Sequence, residues 1–328
     1  MPSLPPPIGG VRFRLFNWDD LSGMVEVLDA CKRADGFERH DTVATMEVGY
    51  RNLSNCDPAS DVLIAEMSDG IVGYSRVTWW VEAATNTRVA LQFGWVAPGV
   101  RGRGIGSTML DWCEVRLSEM IAGVRHDGPT LYQSFYEDGE SAKKLLLEES
   151  GYEPSETFAL MTRNISELIP DSPLPDGLEV RPMTAADARR VWEADTAAFR
   201  DHVGFYEPSE EHFREFVENV NFAPSLWKVA FHGDDIVGMV LNYVDSGENA
   251  EYARLRGWTE GISVQRPWRG KGIAKALIAQ SIEMFRDMGM TETALGVHTT
   301  NPMGAFRLYE HMGYRVTALS RDMRKPFA

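Results

Sequence analysis

The sequence is poor in cysteine, in positive charge and in long apolar runs. Its three cysteines, Cys31, Cys56 and Cys113, are odd in number and lack metal-ligand spacing, which is typical of free thiols in a reducing compartment. The formal net charge of −15 argues against non-specific nucleic-acid binding, which needs a basic surface. No apolar run approaches a membrane span, and the start "MPSLPPPIGG" lacks an apolar signal region. We therefore predict a cytoplasmic protein without membrane or nucleic-acid partners.

What the sequence does contain is an internal repeat. Each half begins with a short alternating strand, a polar turn with a candidate N-cap (Asn17 or Thr184) and an amphipathic helix. Each continues with a β-hairpin, whose turn is Ser68–Gly70 or Gly233–Asp235. A strand, a glycine-rich loop, a long helix, a strand, a short helix, a Gly-Tyr step and a final strand follow in both halves. This matched order predicts two tandem domains.

Three prolines in "RNISELIPDSPLPDG" mark the linker between the halves, because proline resists both helix and sheet. The predicted organisation is a flexible lead-in over residues 1–10, an N-terminal domain over 11–169, a linker over 170–177 and a C-terminal domain over 178–328.

The two glycine-rich loops read "VRGRGIG" (Val100–Gly106) and "WRGKGIA" (Trp268–Ala274). A strand that ends in such a loop and starts a helix presents unpaired backbone N–H groups and the positive end of the helix dipole. The glycines let a phosphate approach the backbone, and the arginines and lysine add full charges. Neither copy has the lysine of a P-loop or the third glycine of a dinucleotide-binding loop. The pattern therefore predicts a different phosphate ligand, most simply a pyrophosphate.

Both loops fit Arg-x-x-Gly-x-Gly/Ala, and in this they resemble the phosphate-binding motif of the GNAT superfamily of acyl-CoA-dependent N-acetyltransferases. The resemblance extends over most of both halves. It implies an α/β (α+β) fold of two tandem domains, each with a mixed, mostly antiparallel sheet flanked by helices. It also implies that the fourth and fifth strands splay apart around the pantetheine arm, with acetyl-CoA as co-substrate and no metal.

The resemblance further implies which residues bind the co-substrate. In the second half they are Ile262, Ser263, Val264, Arg269, Gly270, Lys271, Gly272, Ile273, Ala274, Lys275 and Asn301, and in the first half Arg101, Gly102, Arg103, Gly104, Ile105 and Gly106.

Attack of a neutral amine on a thioester needs a base for the amine proton and benefits from an acid for the leaving thiolate. Tyr309, in "NPMGAFRLYEHMGY", matches the family's last motif and is the predicted general acid; a purely structural aromatic is the alternative. Glu260, in "GWTEGISV", is the predicted base, because a carboxylate beside the cleft is costly to bury without a role. An exposed strand end is the alternative for Glu260, and His298 or a water is the alternative base.

The first half carries Gln92 where the second has Glu260, and Leu147 where the second has Tyr309. Because neither can exchange a proton near neutral pH, this half is predicted to be catalytically degenerate, and its CoA binding is left open. The predicted activity is acetyl transfer from acetyl-CoA to a primary amine of an unidentified small molecule or peptide, with the active site in the C-terminal domain. A non-catalytic acyl-CoA sensor is the alternative, and the chain is expected to be a monomer or homodimer. Three loop acids are either amine-pocket or solvated groups: Asp245, Glu248 and Glu251.

Overall fold

The chain forms two compact units. The structure is a computed structural model that describes residues 3–300 and 304–327. Unit 1 comprises the chain up to Glu156 together with the stretch from Ser320 onward, and unit 2 comprises Thr157–Leu319.

Unit 1 is a mostly antiparallel sheet flanked by helices, as the resemblance implied. Its first five strands neighbour one another in chain order, and the fourth and fifth pair in parallel. The strands are β1 (Arg12–Leu15), β2 (Val62–Met67), β3 (Gly70–Glu82), β4 (Thr87–Val96) and β5 (Thr130–Glu137), and the helices are α1 (Leu21–Asp35), α2 (Val43–Arg51), α3 (Pro58–Asp61), α4 (Ile105–Ile121) and α5 (Ser141–Glu149).

Unit 2 repeats this architecture. The remaining strands are β6 (Glu153–Asn164), β7 (Glu179–Arg181), β8 (Lys228–His232), β9 (Asp235–Tyr243), β10 (Arg256–Val264), β11 (Glu292–His298) and β12 (Arg315–Pro326), and the helices are α6 (Ala188–Phe199), α7 (Glu210–Glu218), α8 (Ser246–Glu251), α9 (Ile273–Asp287) and α10 (Ala305–His311). The strand order in unit 2 is β6-β11-β10-β9-β8-β7, and β10 and β11 pair in parallel. The predicted fold class is confirmed.

The long helices α4 and α9 hold the loops in place through their apolar faces. Ile105 and Met109 in unit 1, and Ile273 and Leu277 in unit 2, are buried one helical turn apart in the two main cores. The first residue of each helix is therefore anchored directly behind its glycine-rich loop.

The units do not coincide with the two halves of the sequence, because their final strands are exchanged. Residues 158–164 of β6 pair with β11 in unit 2, and residues 320–326 of β12 pair with β5 in unit 1. Met161 and Met323 occupy equivalent places in the repeat, and each is fully buried in the core of the unit built by the other half. The units thus differ from the predicted domains 11–169 and 178–328, since equivalent strands offer the same pairing pattern and the sequence does not distinguish them.

The lead-in, expected to be flexible, contacts unit 1 in its described part. The indole Nε1 of Trp112 donates a 3.0 Å hydrogen bond to the carbonyl of Ser3. Ile8 packs against the core and pairs through its backbone with Val11. The proline-rich composition of the lead-in indicates that helix and sheet are absent there. It does not indicate whether the segment packs against the core of unit 1.

Candidate active site

The second glycine-rich loop leads into α9 through two glycines in the left-handed region. Gly270 has φ 75° and Gly272, the N-cap of α9, has φ 89°. A Cβ at either position would meet no atom of the described residues within 4 Å, so these residues leave the space beside the two glycines open. The first-turn N–H groups of α9 lack helical acceptors and carry the positive end of the dipole. The loop is therefore shaped to receive an anion.

Arg269 fixes this loop in place. Its Nε donates to the carbonyl of Val264 at 3.1 Å, its Nη2 to the carbonyl of Ala198 at 2.8 Å, and its Nη1 to Oδ2 of Asp201 at 2.7 Å. The charge of this guanidinium is thus paired with Asp201. Lys275, in the first turn of α9, lines the adjoining cavity and keeps its place as a phosphate-binding candidate.

Behind the loop, β10 and β11 separate. They pair only at their beginnings, where Trp258 is opposite Ala294 in the last matched pair. Further along, the register of β10 against β9 shifts between Glu260 and Ser263, which marks a β-bulge. Gly261 makes the bulge possible: its φ is 53°, and a Cβ there would lie 2.8 Å from Leu241 Cγ. The expected splay of the fourth and fifth strands is present in unit 2.

Glu260 projects into this gap from the bulge. Its side chain is half-buried, and its Oε1 accepts a 2.8 Å hydrogen bond from the backbone N–H of Gly296 on β11. Burial raises the pKa of Glu260 to about 7, although the Gly296 hydrogen bond acts in the opposite direction. A carboxylate with such a pKa can accept a proton near neutral pH and release it again.

Tyr309, on α10, lies at the same gap. The residue is only 6% exposed, and the pKa of its phenol is raised by burial and, secondly, by the nearby charge of Glu260. The hydroxyl therefore stays protonated at neutral pH and is available as a proton donor.

Loop, gap and both titratable side chains line one cavity of about 680 Å³ in unit 2. His298 also lines it, with its ring centre 5.1 Å from that of Phe158. Lys271 does not: it is exposed and its Nζ lies 4.4 Å from the ring centre of Trp268. The predicted co-substrate residues that line the cavity are Ile262, Ser263, Val264, Arg269, Gly270, Gly272, Ile273, Ala274 and Lys275.

Sequence reasoning did not single out Asp195 on α6, a titratable residue that does not itself line the cavity. Its Oδ1 is buried without a hydrogen-bond partner in the described part of the chain, and burial raises its pKa to about 7, an effect that the hydroxyl of Ser263 opposes. A signal was available, because Asp195 falls on the helix face that carries the buried residues Val191 and Ala198.

The three acids expected in a loop belong to α8 instead: Asp245 precedes its first residue, and Glu248 and Glu251 lie within it. Asp245 caps α8 by accepting the N–H of Glu248 at 2.9 Å, and Glu248 pairs with Arg254 and accepts the indole N–H of Trp258 at 2.6 Å. Neither these two residues nor Glu251 lines the cavity.

Unit 1 retains the loop geometry. Gly102 and Gly104 have φ 75° and 80°, and Arg101 donates to the carbonyl of Val96 at 2.9 Å and to both carboxylate oxygens of Asp35 at 2.7 Å. The first-half loop is therefore built in the same way as the second.

The gap in unit 1 differs. β4 stays in continuous register with β3 from Thr87 to Val96, without the bulge of unit 2. Gln92 and Leu147 are buried at the positions of Glu260 and Tyr309 and line a smaller cavity of about 310 Å³. The described residues of unit 1 thus place no equivalent acid–base pair in this cavity.

Asn301, a predicted co-substrate ligand, lies outside the described residues. Within the described ranges there is no group of three or more side chains arranged to hold a metal ion. None of the helices in those ranges combines the length and hydropathy required to cross a bilayer.

Comparison with known proteins matches both halves to one family. The model of the acetyltransferase (GNAT) family matches residues 188–314, and that of an acetyltransferase (GNAT) domain matches residues 58–154. The chain is 26% identical over 311 residues to a mycothiol acetyltransferase of Geodermatophilus obscurus, covering 93% of this chain and 94% of that protein.

Solved structures show the same fold. A GCN5-related N-acetyltransferase from Sphaerobacter thermophilus is similar with a TM-score of 0.71 at 24% identity, over 97% of this chain and 96% of that one. A tandem GNAT protein from the clavulanic acid biosynthesis pathway is similar with a TM-score of 0.64 at 14% identity, over 97% of this chain and 99% of that one.

Proposed function

Because the chain belongs to the GNAT family of acetyltransferases and carries two GNAT domains, we propose that it transfers an acetyl group from acetyl-CoA to a primary amine, in a ternary complex, with its active site in unit 2. The observation that carries this proposal is the convergence of Glu260, Tyr309 and the open glycine-rich loop on one cavity. Unit 1 has a comparable loop but buries Gln92 and Leu147 at the two catalytic positions.

Binding follows from the loop and the gap. The N–H groups at the start of α9, with Lys275 beside them, hold the pyrophosphate of the co-substrate. The residues Ile262–Val264 follow the bulge, where β10 has left β11. Ser263 and Val264 pair with β9 on one side, and the opposite edge of the strand, which faces the gap, pairs with the pantetheine arm. This places the thioester at the gap, within the cavity that Glu260 and Tyr309 line.

Glu260 takes the proton from the attacking amine, and its pKa of about 7 keeps a large fraction ionised at neutral pH. The amine nitrogen bonds to the acyl carbon, the carbon–sulfur bond breaks, and Tyr309 donates its phenolic proton to the leaving thiolate. His298 is the alternative base, since it lines the same cavity.

We propose that unit 1 binds acyl-CoA without transferring the acyl group to an external amine. Its loop keeps the two left-handed glycines and the anchored arginine, Arg101, and Gly106 lines the unit 1 cavity. Arg103 and Ile105, the other predicted loop residues, do not line it. A purely sensory role for the whole chain is disfavoured by the acid–base pair in unit 2. The acceptor is proposed to be a small-molecule or peptide amine.

Calorimetric titration of the purified chain with acetyl-CoA, together with acetyl transfer to a panel of primary amines, tests this function. We expect Glu260→Gln and Tyr309→Phe each to slow transfer at least about tenfold while CoA affinity stays nearly unchanged, since general acid–base catalysis contributes about 10²–10⁴-fold. The matched controls are Glu283→Gln, at an exposed position on α9, and Tyr252→Phe, at the end of α8.

Two results would contradict the proposal. Full activity in both active-site variants would show that the chemistry lies elsewhere. Tight CoA binding without transfer to any amine of a broad panel would favour the sensor.

A further inference from the structure

Unit 1 contains a lysine that its proposed binding role does not use. Lys143, on α5, lines the unit 1 cavity, and its side chain is only 13% exposed. Its Nζ lies 4.7 Å from the ring centre of Trp95 on β4 and 4.6 Å from that of Phe135 on β5. The amine therefore sits at the gap between the fourth and fifth strands, the place where the family fold receives the acyl arm.

A buried carboxylate accompanies this amine. Glu140 is 2% exposed, and its Oε2 lies 3.4 Å from Lys143 Nζ. Its Oε1 accepts the indole N–H of Trp95 at 3.1 Å, which holds the carboxylate in position. The pair thus supplies a nucleophilic nitrogen and a proton acceptor within one cavity.

The cavity also shows an unused polar group that points to a ligand. Ser134, on β5, is 1% exposed, lines the cavity, and has a hydroxyl without a hydrogen-bond partner among the residues the structure describes. A buried hydroxyl in this condition is costly unless a ligand or water pairs with it. The carbonyl groups of an acyl-pantetheine chain would supply such partners, and the loop at Arg101–Gly106 borders the same cavity.

We propose that Lys143 is acetylated by the acyl-CoA that unit 1 binds, so that unit 1 modifies itself instead of an external amine. This inference rests on the proposed acyl-CoA binding by unit 1. The Lys143 nitrogen bonds to the acyl carbon, the carbon–sulfur bond breaks, and CoA leaves as the thiol. The amine proton passes to Glu140, which then gives it to the leaving thiolate.

Two physical effects favour this step. Burial lowers the pKa of Lys143, although the charge of Glu140 opposes the shift, so that more of the amine is neutral than at an exposed lysine. Proximity raises the rate of the step further, because effective molarities of well-oriented groups reach about 10⁵ M or more. Lys144, the next residue, has a 49% exposed side chain and does not line the cavity. It serves as the internal reference for unassisted chemical acetylation.

Acetylation would change the cavity lastingly. It removes the cation that faces Trp95 and Phe135 and leaves Glu140 without that charge partner. A neutral amide at the gap would also occupy the place of the acyl arm. The modified unit would therefore bind acyl-CoA more weakly than the unmodified unit.

The test incubates the full chain with isotopically labelled acetyl-CoA and measures label at Lys143 and Lys144 by peptide mass spectrometry. We expect Lys143 to gain label at least about tenfold faster than Lys144, in line with the proximity effect. The rate per chain should not depend on protein concentration, and it should survive Glu260→Gln, which disables unit 2. The labelling rate of Lys143 should fall in Gly102→Val, which disturbs the unit 1 loop. In Lys143→Arg the label at position 143 should be lost, and the labelling of Lys144 should not change.

Equal labelling of the two lysines, no labelling of Lys143, or loss of labelling in Glu260→Gln would each overturn the inference. Acetylation of external amines is measured on the same samples, so that a failure of the self-acetylation proposal can be distinguished from a failure of the proposed function. If external amines are acetylated while Lys143 stays unlabelled, the self-acetylation is wrong and the activity of unit 2 stands. Circular dichroism of each variant checks that it is folded.

Discussion

The backbone N–H of Gly296 donates a 2.8 Å hydrogen bond to Oε1 of Glu260 across the gap between β10 and β11. The two strands no longer pair at this point, so this contact links them where the acyl arm is proposed to lie. It holds the carboxylate in one position and stabilises its charge, while burial acts in the opposite sense and dominates.

The pKa of Glu260 predicts the pH profile of transfer. As a base it works only when deprotonated, so kcat/KM should fall as the pH drops below about 7. Protonation of the acceptor amine adds its own dependence, which the wild type and variants share. Comparing pH profiles of wild type, Glu260→Gln and His298→Gln should therefore show the limb near pH 7 missing only in Glu260→Gln. If it disappears in His298→Gln instead, the histidine is the base.

Gly272 and Gly289 form a matched pair for testing the loop. Both are in the left-handed region, with φ 89° and 82°, and both have open space at the Cβ position. We expect valine at either position to cost about 1–3 kcal/mol of stability through backbone strain. Only Gly272→Val should weaken acetyl-CoA binding at unit 2, by at least about tenfold. Titration calorimetry checks this. Equal losses of affinity in both variants would show that the loop supports the fold and does not bind the co-substrate directly.

The raised pKa of Asp195 predicts that replacing this residue increases the stability of the protein in a pH-dependent way. Its folded pKa of about 7 lies above the ordinary aspartate value of 3.8, so the folded state is penalised wherever the unfolded chain is ionised. The penalty is absent below about pH 4, grows as the pH rises and is complete above about 7.

Asp195→Asn should therefore stabilise the protein at pH 8 by up to a few kcal/mol, at about 1.4 kcal/mol per pKa unit, and much less at pH 4.5. Urea unfolding at the two pH values measures the difference. Asp234→Asn, at a fully exposed side chain, is the control, and a gain that is equal at both pH values would contradict the assignment.

Gly313 and Gly151 occupy equivalent places in the repeat but meet different surroundings. Arg163 is 2% exposed, and its Nε, which donates to the carbonyl of Met312 at 2.7 Å, lies 2.8 Å from where a Cβ of Gly313 would be. The nearest atom to a Cβ at Gly151 is 4.0 Å away, on Lys325. Their φ values, 92° and 83°, are similar.

We expect Gly151→Ala to destabilise the protein by about 1 kcal/mol, through backbone strain alone. Gly313→Ala should cost about 3 kcal/mol or more, because it also displaces a buried guanidinium that donates hydrogen bonds to four carbonyl groups. Denaturant unfolding of the two variants makes the comparison. Equal losses would mean that Arg163 moves aside freely.

Much of the candidate site could be predicted from local patterns. Arg101 and Arg269 mark loops whose glycine conformations depend on neighbouring residues alone, and the loops lie where the pattern predicted. The position of Glu260 on the strand before the second loop could also be predicted. Its pKa could not, because burial depends on distant elements. The pairing of Arg269 with Asp201 could not be predicted either, since it joins the glycine-rich loop to the segment after α6, far apart in sequence.

The sequence by itself determined the repeat, the strand–loop–helix units, the turns and the asymmetry between Glu260 and Gln92, because each depends on local periodicity, backbone preference or residue identity. Only the tertiary structure decided which final strand completes which sheet. Met161 and Met323 are apolar residues of strands with the same alternating pattern, so each could be buried in either core. Which core each enters depends on long-range strand pairing. The bulge at Gly261 and the partly buried carboxylates of Glu260 and Asp195 likewise follow from packing, which no local pattern encodes.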